Sequence, residues 1–261
     1  MGGSWPVGYG FGFEFRAYNL TMISRFHYPG ALPECGELAL PDELAHHALR
    51  VLRLRDGEAL ILFDGRGDEV EARLSVRGKA GFAVLGERRR VNRESPLQVV
   101  LVQALAASDK MDWVIQKAVE LGVSAIQPVQ AERSVLRLSA ERAEKRLAHW
   151  RQVAVAACEQ SGRNRIPEVR ALQGLGKWLA AHRDGSCHVL APGGEVGFTD
   201  LDRLPGPIHV LVGPEGGWTD SELAACDGAG CRRVTLGPRV LRTETAGLAA
   251  LAVLQARWGD F

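Results

Sequence analysis

The 261-residue sequence predicts an α/β protein in two parts, a small β-rich domain followed by a parallel α/β sheet. Three observations carry this reading. From Ile23 to about Val91 short strand-like runs alternate with turn residues. After Pro96 apolar runs alternate with amphipathic stretches of helical period, as in a parallel sheet with helical crossovers. Near the C-terminus two apolar runs, Ile208–Val212 and Val234–Leu236, each end in Gly-Pro and lead through a loop into a helix start. Runs bounded in this way read as strands buried on both faces.

The elements follow in order. Residues 1–21 are rich in glycine and aromatic residues and lack a basic start followed by an apolar core, so they fail as a signal peptide. They are expected to be a disordered extension or the product of a mis-set start, with Met22 the natural beginning. Residues 22–92 form the first domain. Ala59–Phe63 and the alternating Val70–Val76 flank Asp64-Gly65 and Gly67-Asp68, a hairpin signal, and one helix spans about Pro41 to Leu52. Glu87–Pro96, with Arg88, Arg89, Arg90 and Arg93, marks a boundary that is either a solvated linker or an RNA backbone contact.

Residues 96–261 form the second domain. Leu97–Ala104, Ala125–Val129, His188–Ala191, Ile208–Val212 and Arg233–Leu236 read as strands. Asp109–Leu121, Ser139–Gln160 and Thr243–Arg257 read as helices, the second stopped by Gly162. Thr219–Glu222 has the pattern of a capping box opening a further helix.

Composition excludes several classes. The net charge of +1, with 46% apolar and 24% charged residues, announces no global field for nucleic acid. Arginine supplies 27 of the 32 basic residues, which suits phosphate contact but equally fits a composition bias. Five scattered cysteines read as free thiols in a reducing cytoplasm, Cys158 as a core residue. Nothing has the spacing of a metal site, and no apolar stretch has the length of a membrane span.

The loop Gly213-Pro214-Glu215-Gly216-Gly217 is no phosphate cradle: no Lys follows it, and Glu215 would repel a polyphosphate. A neutral or cationic ligand suits it better. Ligands of such sheets bind outside the carboxyl ends of the strands, and glycines let backbone groups approach them closely. The alternative is a tight glycine turn with no ligand.

Val212–Glu222 and Leu236–Ala246 closely resemble two signatures of the ribosomal RNA small subunit methyltransferase E family. Lys110–Gly122 resembles the first helix of its catalytic domain, and Cys158-Glu159-Gln160-Ser161-Gly162-Arg163 resembles a further segment. Ser24–His27 and His47–Arg53 resemble its N-terminal RNA-binding domain. The resemblance covers about residues 22–258. It implies a trefoil-knotted (SPOUT-class) methyltransferase domain preceded by a PUA-like β-barrel. The implied activity is methylation of N3 of a uridine in 16S rRNA, with S-adenosyl-L-methionine as cofactor. The implied substrate form is the assembled small ribosomal subunit, and the implied enzyme is a homodimer without metal.

Carried over residue by residue, the resemblance places S-adenosylmethionine against Leu190, Ala191, Gly213, Pro214, Glu215, Gly216, Gly217, Leu236, Gly237, Leu241, Thr245 and Ala246. Glu215 could complement the sulfonium charge or brace its own loop. Uracil N3 carries a proton and is a poor nucleophile until that proton leaves. A base, or positive charge near the flanking carbonyl oxygens, must help. Arg242 is the first candidate for the charge, and Glu244 or Glu159 for the base. A salt bridge at a helix C-terminus or at an interface for Arg242, and helix N-terminal charge complementarity for Glu244, are the structural alternatives. Arg25, His47, Arg50, Arg53, Gln160 and Arg163 are expected at the RNA. The competing functions are a related RNA methyltransferase with another target position and a non-catalytic RNA-binding assembly factor.

Overall fold

The computed structural model describes residues 23–181, 184–194 and 196–261, so the expected leader of residues 1–21 lies outside the described residues. The first unit is a sheet of β1 (Ser24–His27), β2 (Gly36–Ala39), β3 (Ala59–Phe63), β4 (Asp68–Arg77) and β5 (Ala80–Arg90), ordered β1-β3-β4-β5-β2. Strand β1 runs parallel to β3; the other pairs are antiparallel. The β3–β4 turn forms where Asp64-Gly65 signals it. Asp64 Oδ1 accepts the N–H groups of Arg66, Gly67 and Asp68 at 2.7, 3.1 and 3.1 Å, and Gly65 adopts the left-handed region at φ 73°.

Alternation in β4 turns Val70, Ala72 and Leu74 inward, against Phe26, Leu60, Leu62 and Ala83. Helix α1 (Asp42–His46), extended by a π-helical turn over His47–Val51, adds Leu44, Ala45 and Ala48 to this core. Strand β5 runs through Arg90. Arg88 to Arg90 are therefore strand residues rather than linker, and Arg88 pairs with Asp68 across the ladder.

The second unit contains β6 (Val99–Ala104), α2 (Ser108–Glu120), β7 (Ala125–Gln130), α3 (Ala140–Ser161), β8 (Glu168–Val169), β9 (Gln173–Gly174), α4 (Leu175–Ala181), β10 (Ser186–Leu190), β11 (Val196–Gly197), β12 (Ile208–Val212), α5 (Asp220–Gly228), β13 (Arg232–Thr235) and α6 (Thr243–Trp258). The strands pair in parallel in the order β11-β13-β10-β12-β6-β7-β8, with β9 beside β7. The continuous apolar runs are buried on both faces, as expected of such strands. In β6, Val99 and Leu101 join the core beneath α2, α3 and α6, while Val100 and Val102 join the core beneath α4 and α5. Val114, Ile115, Ala118 and Val119 form the inner face of α2.

Strand β12 is inserted between β10 and β6, so the sheet changes direction there, and loops leaving β10, β12 and β13 gather at one end. Such switch points open a crevice for a ligand. Among the described residues no helix is long and apolar enough to cross a membrane.

The two units are joined by a polar junction. Glu69 of β4 accepts from Arg25 (2.9 Å), Arg93 (3.1 Å) and Asn164 (2.9 Å). Burial pushes the Glu69 carboxyl up, but these three donors outweigh it and hold it below the ordinary carboxylate range. The β3–β4 turn seats on the segment after α3: Gly67 N–H donates to Asn164 O at 3.0 Å, and Ile166 N–H to Gly65 O at 3.2 Å.

The cysteines depart from expectation in one respect. Cys187 of β10 and Cys231 before β13 are joined by a disulfide, so the free-thiol reading holds for Cys35, Cys158 and Cys226. Their strands are neighbours, which brings residues far apart in sequence to a Cα separation of 4.5 Å. Cys158 is core, its thiol pushed up to about 12 by burial.

Candidate active site

A cavity of about 640 Å³ opens where β10, β12 and β13 end, within the 300–1,000 Å³ range usual for small-molecule sites. Three loops and the first turn of α6 form its walls. The loop after β12 is held by side chains that the sequence did not single out. Trp218 Nε1 donates to Leu190 O at 3.2 Å, tying this loop to the end of β10. Arg133 Nη1 donates to the carbonyls of Gly216 and Trp218, each at 3.2 Å. The capping box forms as read, with Thr219 and Glu222 exchanging side-chain and backbone bonds at the start of α5.

The start of α6 is pinned in the same way. Thr243 Oγ1 donates to Gly213 O at 2.5 Å and accepts from Gln103 Nε2 of β6 at 3.0 Å. Gly247 lets the helix approach the sheet, because an added Cβ would lie 3.0 Å from Leu101. The backbone around the cavity is therefore fixed by bonds among its own lining residues and by donors from Gln103 and Arg133 outside it.

Of the expected cofactor residues, Leu190, Ala191, Gly213, Pro214, Glu215, Gly217, Leu236, Gly237, Leu241 and Ala246 line this one cavity, and Arg242 and Glu244 line it with them. Gly216 and Thr245 do not. Gly216 faces Arg133, whose Cβ would lie 2.9 Å from an added side chain, so its smallness serves loop packing. Thr245 points outward from the first turn of α6 and is exposed.

Lys110, near the start of α2, is one of the lining residues that sequence reasoning missed. Its Nζ stands 3.4 Å from carboxylate oxygens of both Glu215 and Glu244. Glu215 also accepts the Ala107 N–H at 3.0 Å. Burial raises its carboxyl, but that backbone bond, one from its own N–H and Lys110 together hold it below the ordinary range. Arg242 caps α6 through its backbone; its side chain is exposed and has no ion pair among the described residues.

Glu159 stands apart from Arg242 and Glu244. It lies outside the cavity, on α3 against the first unit, where its Oε1 accepts the His27 N–H at 2.9 Å. Burial raises its carboxyl above the ordinary range. Gln at this position would keep the acceptor oxygen, so Glu159→Gln is expected to leave the methyl-transfer rate within about twofold. Loss of a general base costs roughly 10²–10⁴-fold, and a fall of that size in a single-turnover assay would restore its catalytic role.

Two of the expected RNA residues also belong to the junction. Arg163 is buried, donating to the carbonyls of Val119 (2.8 Å) and Val123 (3.1 Å) and pairing with Glu94. Arg25 is committed to Glu69 and Asn164 and lies over the Phe63 ring. Neither presents free donors to a phosphate. Gln160, Arg50 and Arg53 are exposed, whereas His47 packs edge-on against Phe26.

Residues 93–255 match an RNA methyltransferase domain and residues 40–84 an RNA methyltransferase PUA domain. The ribosomal RNA small subunit methyltransferase E of Bacillus subtilis is 35% identical over 236 residues, covering 85% of this chain and 91% of that protein. The chain belongs to the ribosomal RNA small subunit methyltransferase E family. The Mycobacterium bovis member is 34% identical, covering 91% of this chain and 94% of its own length. A crystal structure of the Neisseria gonorrhoeae member bound to S-adenosylmethionine superposes with a TM-score of 0.87 at 43% identity, covering 92% of this chain and 99% of that one. A Legionella pneumophila methyltransferase with bound cofactor gives the same TM-score at 38% identity, covering 92% and 99%.

This membership makes the chain an S-adenosylmethionine-dependent ribosomal RNA methyltransferase with a PUA-like domain ahead of its α/β domain. The cavity suits the cofactor on its own terms. It is roomy, its walls are three loops and the first turn of α6, and it carries two carboxylates opposite one lysine for a cationic ligand.

Proposed function

We propose that this enzyme methylates N3 of a specific uridine in 16S rRNA, acting on the assembled small ribosomal subunit as a homodimer. Residues 22–92 would dock RNA and residues 96–261 would carry out transfer. The observation that carries this reading is the pair Arg242 and Glu244 at one edge of the cofactor cavity: a guanidinium without an ion pair among the described residues, two residues from a carboxylate, both lining it. Uracil N3–H lies between two carbonyl groups. A guanidinium donating to one of those oxygens stabilises the charge that builds as the proton leaves, and a carboxylate can receive that proton.

When bound, S-adenosylmethionine supplies an electrophilic methyl group. Leu190, Ala191, Gly213, Pro214, Gly217, Leu236, Gly237, Leu241 and Ala246 would hold it through loop backbone and apolar contact. Arg50 and Arg53, exposed at the end of the π-helical turn, would meet RNA phosphates. The trefoil knot is part of the same reading. It is supported by the course of the chain, which leaves β13 beyond β10 and returns to pack α6 against β12, β6 and α2. A second copy would cover the exposed rim residues Arg239, Val240 and Arg242.

The substrate form is tested by labelled methyl incorporation into small subunits lacking the modification, into protein-free 16S rRNA and into large subunits. Incorporation into small subunits well above the other two is expected. Equal labelling of free RNA would remove the assembled subunit from the proposal, and labelling of large subunits alone would replace the substrate.

A further inference from the structure

We propose that Lys110, Glu215 and Glu244 form a charge-selective element of the cavity, one that favours a sulfonium ligand over the neutral thioether left after methyl transfer. The proposal rests on reading this cavity as the S-adenosylmethionine site. The three side chains come from α2, the loop after β12 and α6, and meet only through folding. Lys110 Nζ lies 3.4 Å from each carboxylate, so two negative charges share one positive charge and the group carries a net charge of −1. All three side chains are about a quarter exposed or less, which limits screening by solvent.

Among the described residues, the surplus negative charge meets no cation other than Lys110 in the interior of the cavity. Glu244 Oε2 is shielded from solvent and has no hydrogen-bond partner, its contact with Lys110 being ionic at 3.4 Å. Glu215 keeps its charge through the bonds from Ala107 and Lys110. The remaining cationic lining residues, Arg239 and Arg242, are exposed at the rim, where water weakens their field.

In the transfer the S–CH3 bond breaks, its electron pair stays on sulfur, and the acceptor gives up a proton. The cofactor thus loses one positive charge. A net charge of −1 nearby holds the cationic reactant form more tightly than the neutral product, and a proton received by Glu244 during transfer lowers that charge only until it passes to solvent.

S-adenosylmethionine and S-adenosylhomocysteine differ by the methyl group and that charge alone, so the ratio of their Kd values isolates the effect. Calorimetry on the full-length wild type, Glu244→Gln, Glu215→Gln and Lys110→Met measures it without turnover. Gln keeps an acceptor oxygen for the Ala107 N–H. Each Gln variant is expected to lower the preference for the sulfonium by about 3- to 10-fold, the size of a unit charge several ångströms away at an effective dielectric constant between that of a protein surface and water. Lys110→Met is expected to shift the ratio the opposite way. A ratio unchanged in both Gln variants would overturn the proposal, even if both ligands weakened together. A wild-type chain that bound neither ligand would instead remove the cavity's assignment as the cofactor site.

Discussion

Arg242→Ala is expected to lower kcat by about 10²–10³-fold while leaving the fold and cofactor affinity intact. The size follows from losing one donor to charge that develops in the transition state, about 2.7–4 kcal/mol. The side chain is exposed and makes no ion pair among the described residues, and its backbone supplies the N-terminal turn of α6. Truncating such a side chain changes stability by no more than about 0.5 kcal/mol. Cofactor binding by calorimetry should therefore match wild type, and single-turnover methyl transfer should not. Arg242→Lys should restore only part of the rate, because an ammonium lacks the planar fork of donors. A loss confined to KM for RNA, with kcat preserved, would make Arg242 an RNA anchor and leave the acceptor's activation to another group.

The second large effect is on stability. Arg163→Met is expected to destabilise the protein by about 3 kcal/mol, the lower end of the cost of breaking a buried ion pair. The lower end applies because Glu94, the abandoned partner, keeps a side-chain exposure of 19%. Two carbonyls, of Val119 at the end of α2 and Val123 just beyond it, would also lose their donors. Arg163→Lys should rescue little, since one ammonium cannot reach both carbonyls and both carboxylate oxygens. Urea unfolding followed by circular dichroism reads the shift in midpoint. A variant with wild-type stability and weakened RNA binding would show that Arg163 faces RNA after all.

These two arginines illustrate what the sequence discloses and what it withholds. Both stand in segments that resemble the family's signatures, and both were expected near substrate. Arg242 follows a strand-end loop, and in a parallel sheet that position faces the ligand crevice whatever the rest of the chain does. Arg163 follows the end of a long helix, where the local pattern of Gly162 and nearby arginines fits an exposed cap as well as a buried clamp. Its partners, Glu94 and the carbonyls of Val119 and Val123, lie 69, 44 and 40 residues away. The place of Glu159 is hidden from the sequence for the same reason, since its partner His27 is 132 residues distant.

Periodic features were more legible. The doubly buried strands, the inner face of α2 and the capping box of α5 follow from spacing within a dozen residues. The short strands β8, β9 and β11, of two residues each, carry no period and were not foreseen. Lys110 was visible as a residue but not as a site member. Its role depends on α2 lying beside the loop after β12 and the start of α6, which is a property of the strand order. The disulfide between Cys187 and Cys231 depends equally on β10 and β13 being neighbours.

The most direct test is the identity of the methylated nucleoside. Small ribosomal subunits lacking the modification would be incubated with enzyme and labelled S-adenosylmethionine, and their RNA digested and resolved by mass spectrometry against synthetic standards. The account predicts a single labelled product, N3-methyluridine, from one position of 16S rRNA. A labelled ribose-methylated nucleoside, or a base methylated elsewhere, would contradict it, because Arg242 and Glu244 would then be serving an acceptor with no acidic N–H between two carbonyls.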